Sequence, residues 1–231
     1  MMKYKNLFID LDDTLWDTYH NNKECLEELY NDHHFGRYYA SFEAFFAIYW
    51  PHNNMLWSQY RTGEIDRQTL IVERFRHMLR PMGIEDIPSV LAVNNDFLQR
   101  TTRKTRLIEG TVELLEYLRP SYKLYILSNG FREVQFKKLS NSGIAPYFEK
   151  MILSEDAGIQ KPHKGIFDFA LRNTNSRRTE TLMIGDSWDS DIVGAYHSRI
   201  DQLWLNPEKQ PANGFTPTYT VASLKEIKNI L

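Results

Sequence analysis

Leu7-Phe8-Ile9-Asp10-Leu11-Asp12-Asp13-Thr14 is the stretch whose reading decides the fold. Leu7-Phe8-Ile9 is a short apolar run of the kind that forms a buried parallel strand. Three carboxylates follow within four positions. Carboxylates next to a core are costly unless they are paired, hydrogen-bonded or metal-bound. The stretch is therefore either a solvated acidic turn or a site. If the strand continues to Asp12, then Asp10 and Asp12 share a face, because side chains alternate with period two. Two carboxylates converging at a strand's C-terminal end suit a hard cation such as Mg2+.

Outward from this stretch the chain changes character twice. Residues from about Thr18 to Arg106 carry helical spacing: Cys25, Leu26, Leu29 and Tyr30, then Phe42, Phe45, Phe46 and Tyr49 up to Pro51, which reads as a helix breaker. Met55, Leu56 and Tyr60 continue to Gly63. Asp66 reads as the N-cap of a further helix that Gly83 closes, and Pro88 starts another. The second half alternates. Strands are expected at 123–127, 151–153, 182–184 and 203–205, with helices at 132–141, 165–172, 192–196 and 224–231. Alternating strand and helix implies a parallel sheet covered on both faces. The expected organisation is a core of residues 1–16 and 107–231, interrupted by an α-helical insert of residues 17–106.

Composition narrows the function classes. The 231 residues are 42% hydrophobic and 25% charged, ordinary for a globular chain. The formal net charge of -2 gives no bulk electrostatic footprint for nucleic acid. No run reaches the ~18 apolar residues of a membrane helix. A single cysteine, Cys25, allows no intrachain disulfide and fits a reducing, cytoplasmic compartment. Its place on a helical apolar face marks it as packing rather than as a nucleophile.

In open α/β sheets, ligands bind beyond the strands' carboxyl ends, and the remaining polar signals fall there. Ser128-Asn129-Gly130 ends the second strand. Lys161-Pro162 follows the third. Gly185-Asp186-Ser187 ends the fourth, with Asp189 and Asp191 beyond. Each alone also reads as an ordinary turn, cap or solvated lysine. Together they form a coherent phosphate chemistry. Lys161 supplies positive charge, and the Ser128 hydroxyl with nearby backbone N–H groups, Asn129 among them, supplies donors. Asp10 and Asp186 supply oxygen ligands for Mg2+. With charge neutralised, Asp10 can act as nucleophile and Asp12 as general acid and base. The acid role calls for a carboxyl held above its usual range of ~3.9, by burial or a second carboxylate.

Asp10-x-Asp12-x-Thr14, Ser128, Lys161-Pro162 and Gly185-Asp186-Ser187-x-x-x-Asp191 resemble the four motifs of the haloacid dehalogenase superfamily. The resemblance implies a Rossmann-like sheet of order 5-4-1-2-3 with an α-helical cap inserted after the first motif. It also implies Asp10 as nucleophile and Mg2+ ligand, and Asp12 as acid/base with its carbonyl on the metal. Thr14 would support the motif's loop, Ser128 and Lys161 would hold the phosphoryl group, Asp186 would ligate the metal, and Asp191 would complete the acidic site. Ser128-Asn129-Gly130-Phe131, the run Ser154 to Pro162, Trp204-Leu205-Asn206-Pro207 and Leu56-Trp57-x-x-Tyr60-x-x-Gly63-Glu64-Ile65 resemble the pyrimidine 5'-nucleotidase branch. That branch commonly has Phe where this chain has Trp16. The implied substrate is a nucleoside 5'-monophosphate, with Trp16, Asn54, Trp57 and Arg61 as candidate specificity residues and a monomer or homodimer as the assembly. The alternatives are a sugar-phosphate or phosphoglycolate phosphatase, a phosphomutase, a 2-haloacid dehalogenase, which generally lacks the second Asp, and a receiver-like phosphoacceptor.

Overall fold

The computed structural model describes residues 3–231. It forms two compact units. One holds the chain up to Thr18 and again from Thr105 to Leu231; the other holds Tyr19–Lys104.

The larger unit is built on six parallel strands: β1 (Asn6–Ile9), β2 (Lys123–Ser128), β3 (Lys150–Leu153), β4 (Thr181–Gly185), β5 (Asp201–Leu205) and β6 (Tyr219–Val221). Their order is β3-β2-β1-β4-β5-β6. The five strands expected from sequence are present in the expected order. β6 extends the sheet by a strand whose three residues are too short to signal themselves. Alternation decides the two faces. Leu7, Ile9, Leu124, Ile126, Leu182 and Ile184 enter one core, with Leu114, Leu115 and Leu118 of helix Thr111–Leu118. Phe8, Tyr125, Leu127 and Met183 enter the other, with Ile166, Phe167 and Ala170 of helix Lys164–Thr174. A one-residue slip would exchange these sets, so burial on both faces fixes the register. The chain runs from β1 to one edge and crosses to β4 on β1's other side. That reversal is the switch point where such sheets bind ligands.

The smaller unit packs four helices: α1 (Thr18–Asp32, entering it at Tyr19), α2 (Phe42–Thr62), α3 (Arg67–Leu79) and α4 (Ile87–Thr101). Counting on, α5 is Thr111–Leu118 and α6 is Arg132–Asn141. Ser41, Asp66 and Asp86 accept from backbone N–H groups of Ala44, Thr69 and Ser89, the N-cap chemistry that starts α2, α3 and α4. The core is aromatic: Phe45 and Tyr49 stack at 6.1 Å, and Tyr49 meets Phe75 at 5.4 Å.

Three expectations need correction, and one helix is added. Pro51 does not break a helix; it lies inside α2. Proline there removes one hydrogen bond to the carbonyl of Ala47, but both residues are exposed and water can serve that carbonyl. The buried face of Phe42, Phe45, Phe46, Tyr49, Leu56 and Tyr60 holds both halves in one line. The C-terminal segment is a 3-10 turn, Leu224–Asn229, not an α-helix. α5 carries no strand-end motif and was not anticipated. Finally, β1 stops at Ile9, so Asp12 lies beyond the strand.

Candidate active site

Asp10 still hangs on the sheet, its N–H donating to the Ile184 carbonyl at 2.9 Å. The chain then turns tightly. The N–H groups of Leu15 and Trp16 both donate to the Leu11 carbonyl, and Asp13 takes a left-handed conformation, φ 57°. The turn sends the two carboxylates to different partners.

Asp10 meets Lys161. The Lys161 ammonium donates to Asp10 Oδ1, Asp191 Oδ1 and the Leu127 carbonyl, each at 2.7 Å. Its three protons are thus spent on protein acceptors, and the residue is 1% exposed. Holding a phosphoryl group, the role expected for it, requires one of these bonds to be exchanged. The side-chain amide of Asn129, whose backbone N–H is the expected phosphate donor, braces the backbone of Lys161. Nδ2 donates to the Lys161 carbonyl at 3.0 Å, and Oδ1 accepts from the Lys161 N–H at 2.8 Å.

Asp186 is oriented by Thr14, whose hydroxyl donates to Asp186 Oδ1 at 2.7 Å and accepts from the Asp186 N–H at 3.0 Å. The Trp204 indole N–H donates to the Asp186 carbonyl at 2.9 Å. Gly185 is required by contact: a Cβ there would lie 2.2 Å from Asp191 Oδ2. Oxygens of Asp10, Asp186 and Asp191 lie within 4.8 Å of one another.

Ser128 Oγ accepts from the Gly130 N–H at 3.0 Å and from Gln135 Nε2 at 2.7 Å. With both acceptor positions filled, its own proton remains to be donated.

Asp12 meets two residues the sequence reading missed. Lys138 Nζ donates to Asp12 Oδ1 at 2.5 Å, and Gln135 Nε2 donates to Oδ2 at 2.5 Å; the Thr18 hydroxyl adds a bond to Oδ1 at 3.1 Å. Gln135 and Lys138 sit one turn apart on α6, whose spacing gave no motif. The only sequence signal was two polar residues at i and i+3 on a helix that must bury one face.

The electrostatics divide accordingly. Burial, with the Asp191 and Asp12 charges, pushes the Asp10 carboxyl up to about 7 against the pull of Lys161. Burial and the charges of Asp191, Asp10 and Asp13 push Asp186 well above the ordinary range. Burial would raise Asp12 too, but the Lys138 ammonium with the Gln135 and Thr18 hydrogen bonds outweighs it and holds the carboxyl low. The acid role calls for a raised carboxyl at Asp12, and the structure holds it low. Lys138 pairs with Asp12 and Lys161 with Asp10 and Asp191, while Asp186 lies beside Asp10 and Asp191, so four carboxyl groups gather around two ammonium groups. That negative excess, on hard oxygen donors held close together, fits a divalent cation.

The chain matches the model of a hydrolase family, haloacid dehalogenase-like hydrolase, over residues 4–196. It belongs to the haloacid dehalogenase-like hydrolase family. Within that family it is 32% identical over 232 residues to pyrimidine 5'-nucleotidase YjjG of Escherichia coli, covering 100% of this chain and 99% of the relative. It is 32% identical over 238 residues to pyrimidine 5'-nucleotidase PynA of Streptococcus pneumoniae, covering 100% and 98%. Among solved structures of the family, the magnesium-bound HAD-hydrolase YfnB of Bacillus subtilis superposes with a TM-score of 0.89 at 29% identity, covering 100% of this chain and 99% of that one.

The candidate specificity residues divide between the units. Trp16 is fully buried in the core of the larger unit, under Lys138. Asn54, Trp57 and Arg61 follow one stripe of α2, spaced three and four residues apart along the continuous helix. Asn54 is exposed, and Trp57 and Arg61 are half-buried. Trp57 meets Tyr60 edge to face at 5.8 Å. Cys25 is buried in the smaller unit's core, and burial pushes its thiol up to about 12, which suits packing. No helix among the described residues is long and apolar enough to cross a membrane.

Proposed function

We propose that this hydrolase is a Mg2+-dependent phosphatase working through an aspartyl-phosphate on Asp10, with nucleoside 5'-monophosphates, pyrimidines first, as its substrates. The observation that carries the reading is the Lys161 ammonium fixed at 2.7 Å from both Asp10 and Asp191, beside Asp186. Asp10, Asp186 and the backbone carbonyl of Asp12 would hold the Mg2+, which neutralises the phosphate's charge so that a carboxylate can approach it. The Ser128 hydroxyl donates to a phosphate oxygen. With Lys161 on Oδ1, Oδ2 of Asp10 attacks phosphorus. The ester P–O bond breaks, its electron pair goes to the leaving oxygen, and that oxygen takes a proton from Asp12. Water then attacks the phosphorus and gives a proton to Asp12. The bond to Asp10 breaks, freeing phosphate and restoring both residues. Asp12 starts the cycle protonated because an incoming phosphate beside it is a like charge, which raises its proton affinity.

The smaller unit serves as the cap, spanning roughly residues 17–106. The α2 stripe of Asn54, Trp57 and Arg61 reads the base: an amide for its edge, an aromatic face for stacking, a guanidinium for a carbonyl. The two nucleotidases at 32% identity over the whole chain favour nucleotides over sugar phosphates.

Phosphate release from UMP, dUMP, dTMP, sugar phosphates and phosphoglycolate with Mg2+ tests the reading. Higher kcat/KM on the pyrimidine nucleotides is expected. Higher values on a sugar phosphate or phosphoglycolate remove the nucleotidase assignment and leave the phosphatase. Asp10→Asn should abolish turnover with the fold intact. Near wild-type phosphate release by that variant, with deamidation excluded, removes the nucleophile.

A further inference from the structure

We propose that Lys138 and Gln135 are positioning residues that fix the Asp12 carboxylate for proton transfer; the inference rests on the acid–base role proposed for Asp12. Both oxygens of Asp12 are engaged from one face of α6, Oδ1 by Lys138 and Oδ2 by Gln135. A carboxylate gripped at both oxygens cannot rotate about its last bond.

Neither gripping residue is explained by packing. Lys138 is 6% exposed, on a helix face where an apolar side chain would fold at least as well, since buried ion pairs give little net stability. Its ammonium lies 4.0 Å from the centre of the Trp16 ring, which is itself fully buried. The indole face holds the cation without competing for its protons. Asp12 is the one carboxylate paired with Lys138 among the described residues.

Gln135 is fully buried, and its Nε2 serves Asp12 and Ser128 together. Its Oε1 is buried without a partner. Leaving an acceptor unsatisfied is costly, so the amide's orientation is dictated by its two acceptors rather than by its own hydrogen-bonding needs. Gly130 makes room for it: a Cβ there would lie 2.2 Å from Gln135 Nε2. The turn that carries Ser128 is thus shaped around the amide that also holds Asp12. Lys138 keeps Oδ1 by a charged hydrogen bond, and Oδ2, held by a neutral amide, is the oxygen that exchanges the proton.

A kinetic cycle on the full-length protein tests this. The variants are Lys138→Met, Lys138→Arg, Gln135→Met, Asp12→Asn and each methionine change combined with Asp12→Asn, assayed on an alkyl phosphate and on p-nitrophenyl phosphate. Lys138→Met should lower kcat on the alkyl phosphate by about 10–100-fold, the scale of a misplaced catalytic group, with KM nearly unchanged. The loss should be smaller on p-nitrophenyl phosphate, whose leaving group needs no proton, and Lys138→Arg should recover most of it. In the Asp12→Asn background both methionine changes should add less than about twofold, since residues acting as one unit are not additive. Equal losses with and without the Asp12 carboxylate, for whichever methionine variant folds, would overturn the positioning role and leave the acid–base role standing. Asp12→Asn turning over the alkyl phosphate near the wild-type rate would instead remove the acid–base reading, and this inference with it.

Discussion

Lys161 and Lys138 are both buried beside a member of the Asp10–Asp12 pair, yet their surroundings differ. Lys161 faces two carboxylates and a carbonyl, with Asp186 close by. Lys138 faces one carboxylate and an indole ring. The first centre gathers more carboxyl groups than its one cation can pair; the second is balanced as folded. The difference separates two jobs. A centre with excess carboxylate is built to receive a cation and an anionic substrate. A balanced one is built to orient.

The largest effect that would break this comparison is removal of the cation at the first centre. Lys161→Met leaves Asp10 and Asp191 buried with no counter-charge, and breaking a buried pair in this way costs about 3–5 kcal/mol. Urea unfolding in metal-free buffer measures it. Lys138→Met should cost clearly less, because Asp12 retains Gln135 and Thr18 and its side chain keeps 29% exposure. Equal costs for the two variants would mean that the centres do not differ in charge balance.

A pH series sharpens the contrast. Asp10, pushed from 3.8 to about 7 by burial and by the Asp191 and Asp12 charges, binds a proton in the folded state over a range where the unfolded chain has lost it. Stability of the metal-free protein should therefore fall as pH rises from about 4 to about 7, with a slope on the order of 1 kcal/mol per pH unit. Asp186, raised by burial and like charges, acts in the same direction. Asp12 acts oppositely: its carboxyl is held low, so its contribution is present above the unfolded value of 3.8 and is lost as pH falls below it. Saturating Mg2+ should stabilise the protein more at about pH 7.5 than at about pH 5, and Asp10→Asn should flatten the metal-free slope. A metal-free stability that rises through this window would contradict the charge excess.

The smallest effect concerns the second centre's scaffold. Gly130→Ala places a methyl 2.2 Å from Gln135 Nε2 and should cost about 1–3 kcal/mol as the amide moves away. The same change should slow an alkyl phosphate more than p-nitrophenyl phosphate. A selective loss links Gly130 to Asp12 through Gln135; an equal loss on both substrates links it only to Ser128.

Much of the fold was legible because it repeats a short-range rule. Apolar runs of three to six residues alternating with helical spacing announced β1 to β5, and glycine, aspartate and proline punctuation announced the end of α2, the bounds of α3 and the start of α4. The Pro51 reading failed because one lost hydrogen bond is weaker than the combined burial of six side chains along α2. Asp10, Ser128 and Asp186 were legible because polar groups at the ends of buried strands conflict with local burial, and Lys161, eight residues past β3, was legible through its Lys-Pro motif. Lys138 and Gln135 made no such conflict. A lysine and a glutamine on a helix look like a solvated face until the helix docks.

The sequence by itself determined the strand-and-helix alternation and the set of carboxylates at the strand ends, since both follow from neighbours along the chain. Only the tertiary structure decided which lysine each aspartate meets. It sent Asp10 to a crowded acidic centre and Asp12 to a balanced one. The cause is the tight turn after Ile9 together with the docking of α6, and distances between segments more than a hundred residues apart are set by packing, not by local pattern.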